Sequence, residues 1–401
     1  RFGQQGRKLR QIGAAGEVQA GAAVGEIAPG QRTFARAARQ DRHKTGAFAQ
    51  NASQGGERGR GPASGVVAGS QLKGRETRRI VFSRGPGGMR MHLHYAADLN
   101  WRILDDYGKP ELKAEFMDKF QDKTIFTCFA LTEQSGGTGA DIHTTAEKDE
   151  NGDYVLNGEK WLISHTDCSQ YAYVIAVTDP EKQGDERLSA FFVPMDTPGF
   201  ELVPMPHMMG CRGAGHAGFK MTDVVLDPKY LLGEEGQGME VAMHSLAISR
   251  VHIADSNLGM AQRMLEMSIA RARDRVTFGK PIIQRQAIKM KLANMATNIH
   301  ALRCMVMDFA DDYDKDPHNE FVDEKAAMCK LFSIDTVKMV SDEMLEIFGG
   351  DGYFEDSPYG PVERMYRDAR AMWLEEGAPN VQRITIARNC QKFGGKVEYQ
   401  L

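Results

Sequence analysis

The sequence predicts an α+β fold in three parts: a short helical lead-in, a central antiparallel β sandwich or barrel, and a C-terminal four-helix bundle. Two observations carry this. Residues 126–235 hold short runs of alternating apolar character separated by Gly, Asn and Asp clusters, the pattern of a strand-rich domain. From residue 236 onward, apolar side chains recur at helical spacing over long segments. The composition agrees. With 401 residues, 42% hydrophobic and 26% charged, the chain suits a globular protein of two or three domains with a sizeable core.

The first 88 residues stand apart. They carry 16 Lys and Arg against five Asp and Glu, a formal charge of +11, whereas the remainder sums to −15. RFGQQGRKLRQIGAAGEVQAGAAVGEIAPG sustains no apolar face at either period, so it cannot bury enough surface to offset its ordering entropy. Residues 1–88 therefore read as a disordered or non-native segment. A basic arm for nucleic acid would want aromatic stacking or RGG repeats, and neither is present. No apolar run approaches the roughly 18 residues of a membrane span, and no secretory signal is recognisable. The six cysteines (Cys128, Cys168, Cys211, Cys304, Cys329 and Cys390) show neither paired nor metal-ligand spacing, which suggests a reducing, cytosol-like compartment.

Folded texture begins near Met89. Residues 89–125 place Leu93, Leu99, Trp101 and Leu104 near helical spacing, and DDYGKPELKAEFMDKF reads as a turn followed by an amphipathic helix. His92 and His94 lack a third ligand nearby and read as structural. Strands are expected in IFTCFALTE, DYVLNGEKWLIS, YAYVIAVTD, SAFFVPM, FKMTDVVL and YLLG, with the strongest turn signals at NGD and NGE. Residues 236–395 then supply four helices, the last beginning at Pro379; their many methionines read as core filler. A β domain against a helix bundle leaves a crevice suited to a cofactor.

Four loops could line that crevice: FALTEQSGGTGAD (129–141), KWLIS (160–164), RVTFGKPIIQRQAI (275–288) and IFGGDGY (347–353). Glycines let a backbone approach a ligand closely, and outward N–H groups hold phosphate. None is a Rossmann fingerprint, a P-loop or a nucleophile elbow. Near the C-terminus, AMWLEEGAPNVQR sets Glu375 and Glu376 side by side before a glycine. Adjacent side chains diverge, so the two cannot serve one site in the same way.

Taken in order, FALTE, NGEKWLIS, TPGF, SRVHIADSNLGMAQ, RVTFGKPIIQRQAI, EIFGGDGY, MYRDAR and LEEGAPNVQRITIAR resemble the acyl-CoA dehydrogenase family over residues 90 to 395. The resemblance implies FAD between the β domain and the bundle. Phe129, Leu131 and Thr132 match residues that cover the flavin and bond its polar edge, and Ser164 matches a hydroxyl near flavin N5. Leu162 stands where relatives often have Trp. Arg275, Thr277, Phe278, Phe348, Gly349 and Gly350 match the motifs that reach a neighbouring subunit's FAD, which implies a homo-oligomer, tetramer or dimer. Glu346 replaces a common Gln. Arg250 matches an arginine that holds CoA, and Thr138 and Gly377 are further substrate contacts. Asn380 falls where relatives place an amide at FAD.

On this alignment Glu376 is the catalytic base, and Glu375 falls where relatives often have Tyr. A carboxylate among Met372, Trp373 and Leu374 loses solvation, which suits proton abstraction beside a thioester. The implied reaction is FAD-dependent α,β-dehydrogenation of an acyl-CoA, with electrons leaving to an electron-transfer flavoprotein. The implied location is cytoplasmic, or the mitochondrial matrix in a eukaryote. The alternatives are a flavin monooxygenase on the same fold, which needs no Glu there, and an inactive fragment or pseudoenzyme. The second draws on the truncated helical lead-in, where the family has a domain of about 120 residues.

Overall fold

The computed structural model describes residues 100–122, 124–135, 141–317 and 319–392, all within the compact unit Val67–Leu401. The expectations for residues 1–88, His92, His94 and Thr138 lie outside the described residues. Two short helices lead in: α1 (Asn100–Tyr107) and α2 (Pro110–Gln121). Pro110 opens α2, where its missing N–H costs nothing. Their apolar faces place Ile103, Leu104, Leu112 and Phe116 against the sheet.

The sheet comprises β1 (Thr127–Ala130), β2 (Thr145–Lys148), β3 (Tyr154–Ile163), β4 (Tyr171–Val177), β5 (Leu188–Pro194), β6 (Phe200–Val203), β7 (Ala217–Leu226) and β8 (Leu231–Leu232). The order is β6-β7-β3-β2-β4-β5-β8, with β1 also on β4. Two corrections to the antiparallel sandwich or barrel follow. First, β1 and β2 both run parallel to β4, so the sheet is mixed. Secondly, it stays open, because β6 and β8 are edges that do not meet. It curls instead: Tyr154 on β3 and Phe191 on β5 have ring centroids 4.9 Å apart although two strands separate them.

Alternation along β4 explains the layering. Ala172, Val174 and Ala176 face the inside of the curl with Phe191, Phe219 and Met221. Tyr173, Ile175 and Val177 face α1, α2 and Val241 and Ala242 of the following helix. Both faces are buried, so helices take the place of a second sheet.

The NGD turn forms as expected: Asn151 N–H donates to the Asp149 carboxylate at 2.8 Å and Gly152 has φ +89°. NGE does not turn. It lies inside β3 as a register irregularity, where Gly158 adopts φ +147° and a Cβ would fall 2.6 Å from Thr144 Oγ1.

The bundle consists of α3 (Gly238–Asp274), α4 (Gln286–Lys315) and α5 (Val322–Phe348), completed by α6 (Val362–Ala371) and α7 (Pro379–Lys392). Met260, Met264, Met295 and Met344 are buried within it. The expected fourth helix is thus accompanied by α6, which carries Val362, Met365 and Ala369 at helical spacing. No helix among the described residues is long and apolar enough to cross a membrane.

Candidate active site

The sequence-selected residues fall into three groups. The first lies where β1 and β3 end. Phe129, Leu131, Thr132 and Ser164 are half-buried and Leu162 is 53% exposed. Trp161 N–H donates to Thr132 C=O at 2.8 Å, which binds the two strand ends together. Leu162 and His165 both adopt left-handed backbone, at φ +58° and +68°. A non-glycine residue there is uncommon, and such strain concentrates at functional sites. Ser164 Oγ lies 2.9 Å from His216 Nε2.

Beneath this edge is a buried ionic network. Lys160 Nζ lies 2.8 Å from Glu133 Oε1, with both side chains almost fully enclosed. Glu133 also accepts from Thr144 Oγ1 at 2.6 Å and from the His143 N–H at 2.8 Å. Burial works to raise the Glu133 carboxyl, but Lys160, Thr144 and His143 outweigh it and bring it below the ordinary range.

The second group surrounds Glu376, in the turn between α6 and α7. Glu376 is half-buried at φ +52°, followed by Gly377 at φ +89°. Gln382 Nε2 donates to the carbonyls of Glu376 (3.0 Å) and Gly377 (3.1 Å). The Lys330 ammonium donates to the carbonyls of Glu375 and Gly377. Arg250, 3% exposed on α3, lies within electrostatic reach of Glu376 and Asp323. Burial pushes its guanidinium down, and the two carboxylates oppose that. Burial likewise pushes Lys330 down to about 8, opposed by Glu376 and Glu375 and assisted by Arg250. Asn380 is exposed and hydrogen-bonds Arg383, so Gln382 rather than Asn380 supports the turn.

The third group is an open pocket of about 410 Å³. It is lined by Arg275, Thr277, Ile282, Glu346, Ile347, Phe348, Gly349, Gly350 and Asp351. Five residues chosen from two separate motifs thus meet around one space. Their neighbour Phe278 caps a hairpin between β9 (Val276–Thr277) and β10 (Lys280–Pro281); it is 95% exposed at φ +51°. Arg271, stacked 4.0 Å over the ring of Tyr359, forms an ion pair with Asp351 and braces the glycine loop.

The loop Met208–Gly215 joins the sheet to the bundle. Thr166 Oγ1 donates to Gly215 C=O at 3.0 Å on one side, and Cys211 N–H donates to the Asp368 carboxylate at 2.7 Å on the other. This loop fixes the strand-end group relative to α6 at Asp368, four residues before Met372.

These residues fit a flavin and a thioester. The strand ends offer partly exposed apolar side chains with a hydroxyl, as a flat ring with a polar edge requires. The pocket offers a guanidinium, a hydroxyl and glycine backbone, as a diphosphate requires. Arg250 Nε and Nη1 are buried without a hydrogen bond among the described residues, and a substrate oxygen would satisfy them.

Sequence reading missed Lys330, Lys160, Glu133, Gln382 and His216. For the lysines a signal existed. Lys330 lies on the apolar stripe of Ala326, Ala327, Ile334 and Val337, and Lys160 lies on the inward face of β3 with Leu156.

Comparison with known proteins is consistent across the described fold. The family model for the acyl-CoA dehydrogenase middle domain matches residues 128–224, and that for the C-terminal domain matches residues 236–391. A probable acyl-CoA dehydrogenase of Bacillus subtilis is 36% identical over 302 residues, 75% of this chain and 78% of that protein. The acryloyl-CoA reductase (NADH) of Anaerotignum propionicum is 35% identical over 71% of each. Among solved structures, butyryl-CoA dehydrogenase from Megasphaera elsdenii matches with a TM-score of 0.74 at 30% identity, covering 79% of this chain and 81% of that one.

Proposed function

The chain belongs to the acyl-CoA dehydrogenase family, and we propose that it oxidises an acyl-CoA thioester to the 2,3-enoyl-CoA with FAD, Glu376 acting as the α-proton base. The observation that carries this reading is the Glu376 turn. Glu376 is a half-buried residue in left-handed backbone within reach of buried Arg250, and such strained positions concentrate at functional sites.

The Cα proton beside a thioester is weakly acidic, so its removal needs a placed base and a stabiliser for the charge that develops on the carbonyl oxygen. Glu376 Oε takes the proton, and its backbone N–H polarises the carbonyl. Arg250 holds the CoA moiety through its unpartnered N–H groups, and Gly377 leaves room for the acyl chain. Phe129, Leu131, Thr132, Leu162 and Ser164 would hold the flavin, with Asn380 at its margin. A bound FAD would supply the acceptor for the hydride at Cβ, which no side chain of this protein can accept. An electron-transfer flavoprotein is the proposed onward acceptor. A reducing compartment, cytoplasm or mitochondrial matrix, suits the six free thiols.

The reading is tested by purifying the full chain with FAD and adding a panel of acyl-CoAs without oxygen. At least one thioester is expected to bleach the flavin absorbance. Bound flavin that no thioester bleaches would overturn it.

A homo-oligomer, tetramer or dimer, is part of the proposal. Phe278, exposed on a left-handed hairpin beside the 410 Å³ pocket, would meet a second subunit. Phe278→Ser is expected to lower the sedimenting mass and release flavin in parallel; an unchanged oligomer would count against it.

A further inference from the structure

Lys330 is a buried cation for which the chemistry above has no use. Its side chain lies on the most apolar stripe of α5, fully enclosed, where Met or Leu would pack without a desolvation penalty. Its ammonium is spent on main-chain carbonyls, those of Glu375 and Gly377, the residues on either side of Glu376. Two successive left-handed residues, Glu376 and Gly377, turn these carbonyls towards one donor, while the intervening carbonyl goes to Gln382. A left-handed glutamate persists only where the surroundings over-determine it. The turn is tied at two points, from α5 by Lys330 and from α7 by Gln382.

We propose that Lys330 is a positioning residue for the base: by clamping the carbonyls that flank Glu376, it fixes the turn and so the place from which the carboxylate acts. The proposal rests on the reading of Glu376 as base. The charged groups facing the ammonium are Glu375 and Glu376 on the turn and Arg250 on α3. The carboxylates favour its charge and the guanidinium opposes it. Lys330 belongs to α5, which packs against both long neighbours and against α7, so the clamp references the base to the rigid core of the bundle.

The consequence is a separation of rate from binding. Misplacement of a catalytic group by about 1 Å can cost on the order of 100-fold in rate without removing any binding contact. Lys330→Met is therefore expected to lower the limiting rate of flavin bleaching about 100-fold. Flavin content, and affinity for an unreactive thioether analogue of the acyl-CoA, should stay within about threefold. Lys330→Arg, which keeps charge and donors, is expected to recover most of that rate. Amide deuterium uptake by the full chain without substrate provides a readout apart from catalysis. Peptides covering Met372–Gln382 should exchange faster in Lys330→Met and recover in Lys330→Arg.

A Lys330→Met protein with a wild-type rate, or one whose turn exchanges as in the wild type, would overturn the proposal. So would parallel loss of rate, flavin and analogue binding without rescue by Arg, the mark of a core residue. If Lys330→Met does not accumulate, Lys330→Gln is read by the same comparisons. Glu376→Gln separates the two readings. If it keeps the wild-type rate, the base assignment fails, and deuterium uptake still decides whether Lys330 holds the turn.

Discussion

Glu376→Gln is expected to slow the bleaching of bound flavin by acyl-CoA by about 10³-fold, within the range general bases contribute. The substitution changes one atom of a half-buried side chain and removes its capacity to accept a proton. The turn itself is secured by main-chain carbonyls: Gln382 holds those of Glu376 and Gly377, and Lys330 those of Glu375 and Gly377. None of these bonds involves the Glu376 carboxylate, so the turn and the flavin site should survive. Flavin content and affinity for an unreactive acyl-CoA analogue should therefore remain near wild type. Glu375→Gln is the matched control. Neighbouring side chains diverge, and Glu375 contributes to the clamp through its carbonyl, which the substitution keeps; its rate should change by less than about threefold. Stopped-flow absorbance without oxygen distinguishes the pair. A Glu376→Gln enzyme that bleaches at the wild-type rate would remove the carboxylate from the mechanism, and loss in Glu375→Gln alone would transfer the role to its neighbour.

Most helices were legible because their signal is local. Apolar spacing from residue 236 onward announced the long helices α3, α4 and α5, and Pro379 marked the start of α7. The pairings of the sheet were not legible. That β1 and β2 lie parallel to β4 depends on contacts between residues far apart in sequence, which no window can contain. Asn157-Gly158 carries the dipeptide of a turn, yet the pairing of β3 with β7 on one side and β2 on the other absorbs it as an irregularity. Among site residues, motif resemblance selected Glu376, which lies on the left-handed turn, and Arg275, which lines the open pocket. It overlooked the residues behind them. Lys330 and Lys160 act through carbonyls and a carboxylate brought together by the fold, and a sequence records them as charges on apolar faces. Such a charge has a partner to be found, and here each partner lies beside a loop that the motifs had marked.

The Glu133–Lys160 pair provides the largest expected effect on stability. Removing one member of a buried pair strands the other without compensation, which costs about 3–5 kcal/mol. Lys160→Met leaves the Glu133 carboxylate enclosed, though Thr144 and the His143 N–H still bond it. Glu133→Gln leaves the Lys160 ammonium with the Leu131 carbonyl at 3.3 Å. The two together remove both charges, so the double variant should be destabilised by less than the sum of the singles. The difference in a double-mutant cycle by denaturant unfolding should be about 2 kcal/mol or more. The sign of the pH dependence follows from the carboxylate. Glu133 titrates below its ordinary value of 4.5, so its contribution is present above that value, up to where burial brings Lys160 down to about 8, and is lost as pH falls through the folded value. The wild type should therefore lose its advantage over Glu133→Gln in acid. Function enters because Leu131 and Thr132, expected at the flavin, immediately precede Glu133, while Trp161 follows Lys160 and donates to Thr132. Loosening the pair releases the ring-binding edge from both sides, and flavin affinity should fall with stability in each single variant. Single effects that sum to the double would show the charges to be independent, and the strand ends would then owe their alignment to the Trp161–Thr132 bond and the packing beneath it.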